Sequence, residues 1–221
     1  MVRSTNMDGQ IEALSIGGQS LGLWNYKVAN DLNGAQARNK LKDEPVRGLT
    51  FDGRSYLAVD RSNYQDIAKE FYFRITFKTD RPNGVLLFIG DSNSEDYAAL
   101  EIRNGYLTYS FNLGGDTVSL ESTMPVEIGV WSSVEVSRNG RIGDMIVNGN
   151  NVGQIESQGD MEELSIGPEI FIGGYLPGQM PASQVQDINF EGCIEEVFFG
   201  PDRIDLSANS PGAVGVKPGK T

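Results

Sequence analysis

The sequence contains no histidine, a single cysteine and no apolar run long enough to cross a membrane. The absence of histidine excludes Ser-His-Asp and Cys-His nucleophilic sites and histidine general bases, and it excludes nearly all kinds of catalytic zinc site. One cysteine, Cys193, forms neither an internal disulfide nor a cysteine-rich metal site. A membrane-spanning helix needs about 18–20 consecutive apolar residues, so we expect no membrane insertion. These absences exclude most familiar enzyme classes.

Positive charge is also scarce. The chain of 221 residues carries 18 Lys and Arg against 30 Asp and Glu, a net charge of −12. Such a surface repels polyanions at long range, which predicts no nucleic-acid partner and weak or no heparin binding. The densest basic stretch consists of Arg38, Lys40, Lys42, Arg47 and Arg54. Because Asp43 and Glu44 interrupt it, we interpret it as a solvated loop of mixed charge.

Strand patterns dominate the rest of the chain. Residues 70–78 alternate apolar and polar side chains, and the apolar run 85–89 is typical of a fully buried strand. Further strands are predicted over 97–103, 106–112, 117–121, 133–138, 143–147, 169–172 and 194–199. Only residues 61–70 have the appearance of a short helix.

Asn-Gly pairs separate several of these strands. They are Asn104-Gly105, Asn139-Gly140 and Asn148-Gly149. An Asn-Gly pair accepts the positive φ angles of a type I′ turn, which joins antiparallel strands. No alternation of strands and helices indicates a parallel sheet. The sequence therefore predicts an all-β protein, an antiparallel two-sheet sandwich in one domain.

Five segments appear in the order of a known family pattern. They read GLTFDGRSYLAV (48–59), FYFRITFKTDRPNGVLLFIG (71–90), DYAALEIRNGYLTYSFNLGGDT (96–117), IFIGGYLP (170–177) and FEGCIEEVFFG (190–200). Together they resemble laminin G-like domains, most closely those in the globular region of laminin α chains. The flanking segments SLGLWNY (20–26) and GAVGVKPG (212–219) are similar to the edges of the second such domain. We therefore assign 19–217 to one laminin G-like domain, 1–18 to linker residues and 218–221 to a tail.

The resemblance implies a concanavalin-like jelly roll and a non-catalytic adhesion module, secreted into the extracellular matrix of basement membrane. The implied partners are cell-surface receptors of the integrin or dystroglycan type and neighbouring laminin G-like domains. A carbohydrate- or hydrophobic-ligand carrier of the same fold remains an alternative. A hydrolase, represented by the acid pairs Glu101 with Glu121 and Glu135 with Asp144, is disfavoured because the strand motif E-x-D-x-x-E of jelly-roll glucanases is missing.

The resemblance also implies a calcium site. Carried over motif by motif, its ligands are the side chains of Asp96 and Ser165 and the main-chain carbonyls of Leu113 and Glu163. Oxygen ligands suit Ca²⁺, and so few charges imply weak, about millimolar affinity. The alternative is that Asp96 only ends a loop and is solvated. In the family Cys193 is a disulfide candidate, but Lys220 stands where its partner is expected, so we predict a free, buried thiol.

Overall fold

The computed structural model describes residues 14–16, 19–21, 48–64, 67–91, 94–175, 182–206 and 212–219. The chain forms two compact units, Met1–Glu44 and Pro45–Thr221. In the first unit β1 (Leu14–Ile16) and β2 (Gln19–Leu21) form an antiparallel hairpin. The predicted loop of mixed charge lies outside the described residues except for Arg54. The predicted boundaries at residues 19 and 217 stay predictions.

The second unit is a sandwich of two sheets. Among the described residues the larger sheet has eight strands: β3 (Leu49–Asp52), β5 (Glu70–Thr79), β10 (Trp131–Asn139), β11 (Ile142–Val147), β12 (Asn150–Glu156), β14 (Glu191–Phe199), β15 (Asp202–Arg203) and β17 (Lys217–Pro218). Their order is β12-β11-β10-β5-β14-β3-β17, and β15 pairs with β14.

The second sheet has seven strands within the same described ranges: β4 (Tyr56–Asp60), β6 (Gly84–Gly90), β7 (Tyr97–Arg103), β8 (Tyr106–Asn112), β9 (Val118–Glu121), β13 (Glu169–Ile172) and β16 (Ala213–Val214). Their order is β16-β4-β13-β6-β7-β8-β9. The ladders between these strands are antiparallel. The predicted all-β sandwich is thus confirmed.

The core lies between the sheets and explains the strand patterns. Along β5 the apolar side chains of Phe73, Ile75 and Phe77 are fully buried while their neighbours face outward. Burying each such side chain contributes about 1.5–3 kcal/mol. All seven residues of β6 are buried, as the continuous apolar run predicts, because a second cluster with Tyr175 and Val185 covers its other face.

Two of the three predicted Asn-Gly turns have the expected geometry. Both residues have positive φ at Asn104-Gly105 (52° and 90°) and at Asn148-Gly149 (50° and 78°). The prediction for Asn139-Gly140 is wrong, because Asn139 belongs to β10 and pairs with Ile142. The turn is Gly140-Arg141, with positive φ at Gly140 (56°), as at the first central residue of a type II′ turn.

The predicted helix over residues 61–70 is largely wrong. A single 3-10 turn spans Arg61–Asn63, capped by the Asp60 side chain, which accepts a hydrogen bond from the Ser62 amide. None of the residues in this turn is buried, so it has no apolar face to stabilise a longer helix. Ile67 instead enters the core, and β5 already begins at Glu70. No helix among the described residues is long and apolar enough to span a bilayer.

Candidate functional site

Several strands of the seven-stranded sheet end at the same edge of the sandwich. Gly90 at the end of β6 is opposite Tyr97 at the start of β7, which is opposite Asn112 at the end of β8. The irregular segment 161–168 precedes β13 at this edge, and the Gly167 amide donates to the Gly90 carbonyl at 3.0 Å. We call Asp96, the turn after Asn112 and segment 161–168 together the rim.

Asp96 is the central side chain of the rim. It is 9 % exposed, so the predicted alternative of a fully solvated loop carboxylate is wrong. Its Oδ2 accepts a hydrogen bond from the Ser165 amide at 3.0 Å. Its Oδ1 lies 3.4 Å from the position that a Cβ would take at Gly114. The carboxylate therefore lies between two chain segments that are far apart in the sequence.

The turn after β8 is shaped by its own side chains. The Asn112 Oδ1 accepts hydrogen bonds from the amides of Gly114 (2.8 Å) and Gly115 (2.9 Å). Gly114 has φ +90°, which a residue with a Cβ rarely adopts. The Leu113 side chain is buried in the core, which fixes the backbone just before Gly114.

Segment 161–168 is irregular but anchored along its length. The Leu164 amide donates to the Ala68 carbonyl at 2.8 Å, and its side chain is buried. The Ile166 carbonyl accepts a weak bond from Arg61 Nη1 at 3.4 Å, and the Arg61 amide donates to the Pro168 carbonyl at 2.9 Å. The side chain of Ser165 is exposed at this rim.

An exposed ion pair flanks the segment. Lys69 Nζ lies 3.0 Å from Glu162 Oε2. Hydrogen bonding and charge attraction from Lys69 lower the pKa of Glu162, and the same contacts with Glu162 raise the pKa of Lys69. Exposed pairs of this kind contribute little to stability.

The structure brings two of the predicted ligand positions into contact, Asp96 and the backbone of Ser165. The Asp96 carboxylate meets the Ser165 amide and lies beside Gly114, the residue after Leu113, while Glu163 precedes Ser165 by two residues; the calcium ligand set itself stays a prediction. No group of three acidic or cysteine side chains gathers anywhere in the described part of the chain. The residues fit a calcium ion in donor chemistry, because they offer oxygen atoms only, and one formal charge fits a weak site.

Sequence reasoning missed the buried Arg138, whose side chain is 1 % exposed. Its Nη1 donates to the carbonyls of Gly140 (2.6 Å) and Glu162 (2.9 Å), and its Nη2 donates to the Ala68 carbonyl. Burial lowers the pKa of Arg138, and Tyr109 opposes this shift. A signal was present, since Arg138 falls in phase with the inward positions of β10.

The other predicted residues lie away from the rim edge. Cys193 is free and only half-buried, with Sγ 3.7 Å from Thr50 Oγ1, so the expectation of a buried thiol is wrong. It occupies an outward position of β14. Its disulfide candidacy stays untested because the sequence contains no second cysteine.

The acid pairs of the hydrolase alternative are held by other contacts. Glu101 is fully buried and binds Arg103 and Gln186. Glu135 accepts a hydrogen bond from the Tyr72 hydroxyl at 2.6 Å, and Asp144 accepts one from Gln154 at 3.0 Å.

Two antiparallel sheets packed face to face define the β-sandwich class of fold, and comparison with known proteins identifies the family. Residues 77–201, more than half of the chain, match the family model of the Laminin G domain. The chain belongs to the laminin G domain family.

Curated relatives agree with this assignment, and a solved structure shares the fold. The chain is similar to a laminin subunit alpha of Drosophila melanogaster (28 % identity over 92 % of the chain and 6 % of the relative). It is also similar to a basement membrane proteoglycan of Caenorhabditis elegans (31 % identity over 76 % and 5 %). The crystal structure of the LG1-3 region of the laminin alpha2 chain shares the fold, with TM-score 0.71, 20 % identity and coverage of 80 % of this chain and 35 % of that chain. This chain spans about one twentieth of the length of those two relatives.

Proposed function

We propose that this chain is a non-catalytic adhesion module of an extracellular matrix protein of basement membrane. We further propose that it binds cell-surface receptors through a calcium ion that is bound weakly at the rim. The observation that carries the proposal is the convergence of the Asp96 carboxylate with Ser165 and the Leu113–Gly114 turn. The names of the relatives, a laminin subunit and a basement membrane proteoglycan, support the location.

In this proposal the metal ligands are Asp96 and Ser165 through their side chains and Leu113 and Glu163 through their carbonyls. A bound calcium ion supplies open coordination positions for an acidic group of the receptor. The chain itself holds the carboxylate in place through the Ser165 amide and limits the access of water through its burial. The receptors that fit this chemistry are of the integrin or dystroglycan type.

The experiment is a binding assay with the chain displayed on beads, because multivalent display makes a weak single-domain interaction detectable. Beads are incubated with an integrin ectodomain or with α-dystroglycan, in calcium and in chelator. We expect binding that needs calcium and that Asp96→Ala abolishes. The matched control is Glu121→Ala, an exposed acid on the edge strand β9, which retains binding. Equal binding by Asp96→Ala or in chelator contradicts a role for the rim.

A second candidate function, a ligand carrier, rests on a different observation. A groove of about 630 Å³ is lined by the aromatic rings of Tyr64, Phe71 and Phe199, with Glu70 and Asp202 among its other lining residues. Aromatic walls with a few polar groups are common in small-molecule sites of about 300–1,000 Å³. Micromolar binding of a neutral oligosaccharide or steroid that Tyr64→Ala removes supports the carrier function. If neither ligand class binds detectably, the carrier function is contradicted and only the adhesion proposal remains.

A further inference from the structure

Arg138 is a buried cation whose partners are main-chain carbonyls. The ion pairs between described residues do not include Arg138. Its guanidinium binds the carbonyls of Ala68, Gly140 and Glu162, and its Cζ lies 5.7 Å from the centre of the Phe71 ring. Its Nε has no hydrogen-bond partner among the residues that the structure describes. Burial of a charge is unfavourable, so an apolar side chain would fill the same volume with less cost.

What the arginine provides is a connection between three main-chain segments. They are the residues before β5, the turn between β10 and β11, and segment 161–168. The planar guanidinium can hold several carbonyls at once because its N–H groups point outward in a fixed fork. A lysine side chain at the same position is shorter, and its ammonium group lacks the planar arrangement of N–H donors.

One of these connections leads directly to the rim. Arg138 holds the Glu162 carbonyl, and two residues later the Leu164 amide bonds to the same Ala68 carbonyl that Arg138 binds. The next amide, that of Ser165, donates to Asp96. The backbone between Glu162 and Ser165 is therefore fixed at one end by Arg138 and at the other by Asp96.

We propose that Arg138 is a positioning residue of the rim site: by holding the Glu162 carbonyl from inside the sandwich, it places the Ser165 amide against the Asp96 carboxylate. This inference rests on the proposed function for its calcium consequence. Its structural part, the placement of the Ser165 amide, concerns the metal-free protein and can be tested without calcium.

The test compares Arg138→Met and the milder Arg138→Lys with a matched control, Glu101→Gln. Glu101 is also a buried charged residue, but it binds Arg103 and Gln186 and makes no contact with segment 161–168 among the bonds of the described residues. Hydrogen exchange of the Leu164 and Ser165 amides is measured by NMR in the metal-free proteins. Core amides such as that of Leu100 correct for changes in global stability.

We expect both Arg138 variants to exchange the Ser165 amide about tenfold faster or more relative to the core, the factor that corresponds to one lost charge-assisted hydrogen bond. The control keeps the wild-type exchange rate of the Ser165 amide, although its core amides exchange faster because Glu101→Gln lowers the free energy of unfolding. Unchanged relative exchange in Arg138→Lys, or in Arg138→Met if it folds, overturns the proposal. Calcium is then added to each protein. Loss of the calcium-dependent melting shift in the Arg138 variants but not in Glu101→Gln extends the proposal to the metal. A wild type that shows no calcium shift contradicts the calcium part of the proposed function, while the exchange result still decides the positioning role.

Discussion

Replacing Glu101 with glutamine removes one charge from the interior and leaves the shape of the side chain. The carboxylate is fully buried. Its Oε2 accepts bonds from Arg103 Nε at 3.0 Å and from Arg103 Nη2, and its Oε1 accepts bonds from the amide (2.9 Å) and the side chain (3.2 Å) of Gln186. Arg103 Nη2 also donates to the Gln184 carbonyl. The charge therefore fastens the chain around residues 184–186 to β7.

The size of the loss follows from these contacts. A glutamine keeps one acceptor oxygen for the Gln186 amide but presents N–H groups toward Arg103, so the two bonds from Arg103 are lost. A hydrogen bond to a charged group contributes about 1.5–3 kcal/mol. The Arg103 side chain is 34 % exposed, so its released charge regains water and the cost stays near the lower end. We expect Glu101→Gln to lower the free energy of unfolding by about 3 kcal/mol.

Urea denaturation followed by tryptophan fluorescence measures this loss directly. For a protein of this size the same loss lowers the melting temperature by about 6–12 °C. The control Glu121→Gln alters an exposed acid and changes the free energy of unfolding by less than about 0.5 kcal/mol. A loss below about 1 kcal/mol for Glu101→Gln would refute the stabilising role of the hydrogen bonds between Arg103 and Glu101.

Three further predictions follow from single features. A Cβ at Gly192 would lie 2.2 Å from the Lys78 carbonyl oxygen, and φ at Gly192 is +146°. We therefore expect Gly192→Ala to lower the free energy of unfolding, measured by urea denaturation, by several kcal/mol. The control Gly115→Ala is near neutral, because nothing lies within 4 Å of a Cβ at Gly115. Desolvation and the hydrogen bond to Glu135 raise the pKa of Tyr72 from 10.0 to about 12. The contribution of the Tyr72 hydroxyl to the free energy of unfolding is therefore present below pH 10 and is lost as the pH rises through 12. The difference in stability between wild type and Tyr72→Phe therefore shrinks when denaturation is repeated above pH 10, and a constant difference contradicts the shift. On a heparin column the chain, with net charge −12, elutes below about 0.2 M salt, and later elution would reveal a concentrated basic face.

Local patterns predict many strands of this fold closely. The predicted strands 97–103, 106–112 and 169–172 coincide with β7, β8 and β13. The alternation of apolar and polar residues and the Asn-Gly turns help to predict where strands begin and end, because both are properties of a few neighbouring residues. The partition into two sheets is not local. Strands β7 to β9 lie in one sheet and β10 to β12 in the other, a division that none of the Asn-Gly pairs marks.

The candidate site is harder to predict from the residues alone. Asp96 and Ser165 are 69 positions apart and meet only because β7 and β13 belong to the same sheet. The family resemblance supplied these positions, and no periodicity did. Arg138 had a signal, a charged residue in phase with buried Val134 and Val136, but its carbonyl partners come from three separate segments and cannot be predicted from spacing.

The most direct test of the calcium rim is a melting curve at about 10 mM calcium, tenfold above a millimolar dissociation constant. Ligand binding at that ratio stabilises the folded state by about 1.4 kcal/mol, which corresponds to a rise in melting temperature of about 3–6 °C. We predict this rise for the wild type, none for Asp96→Ala, and a larger one for Ser165→Asp, which adds a second charged oxygen beside Asp96. If neither the wild type nor Ser165→Asp responds to calcium, the rim does not hold the ion and the central claim is wrong.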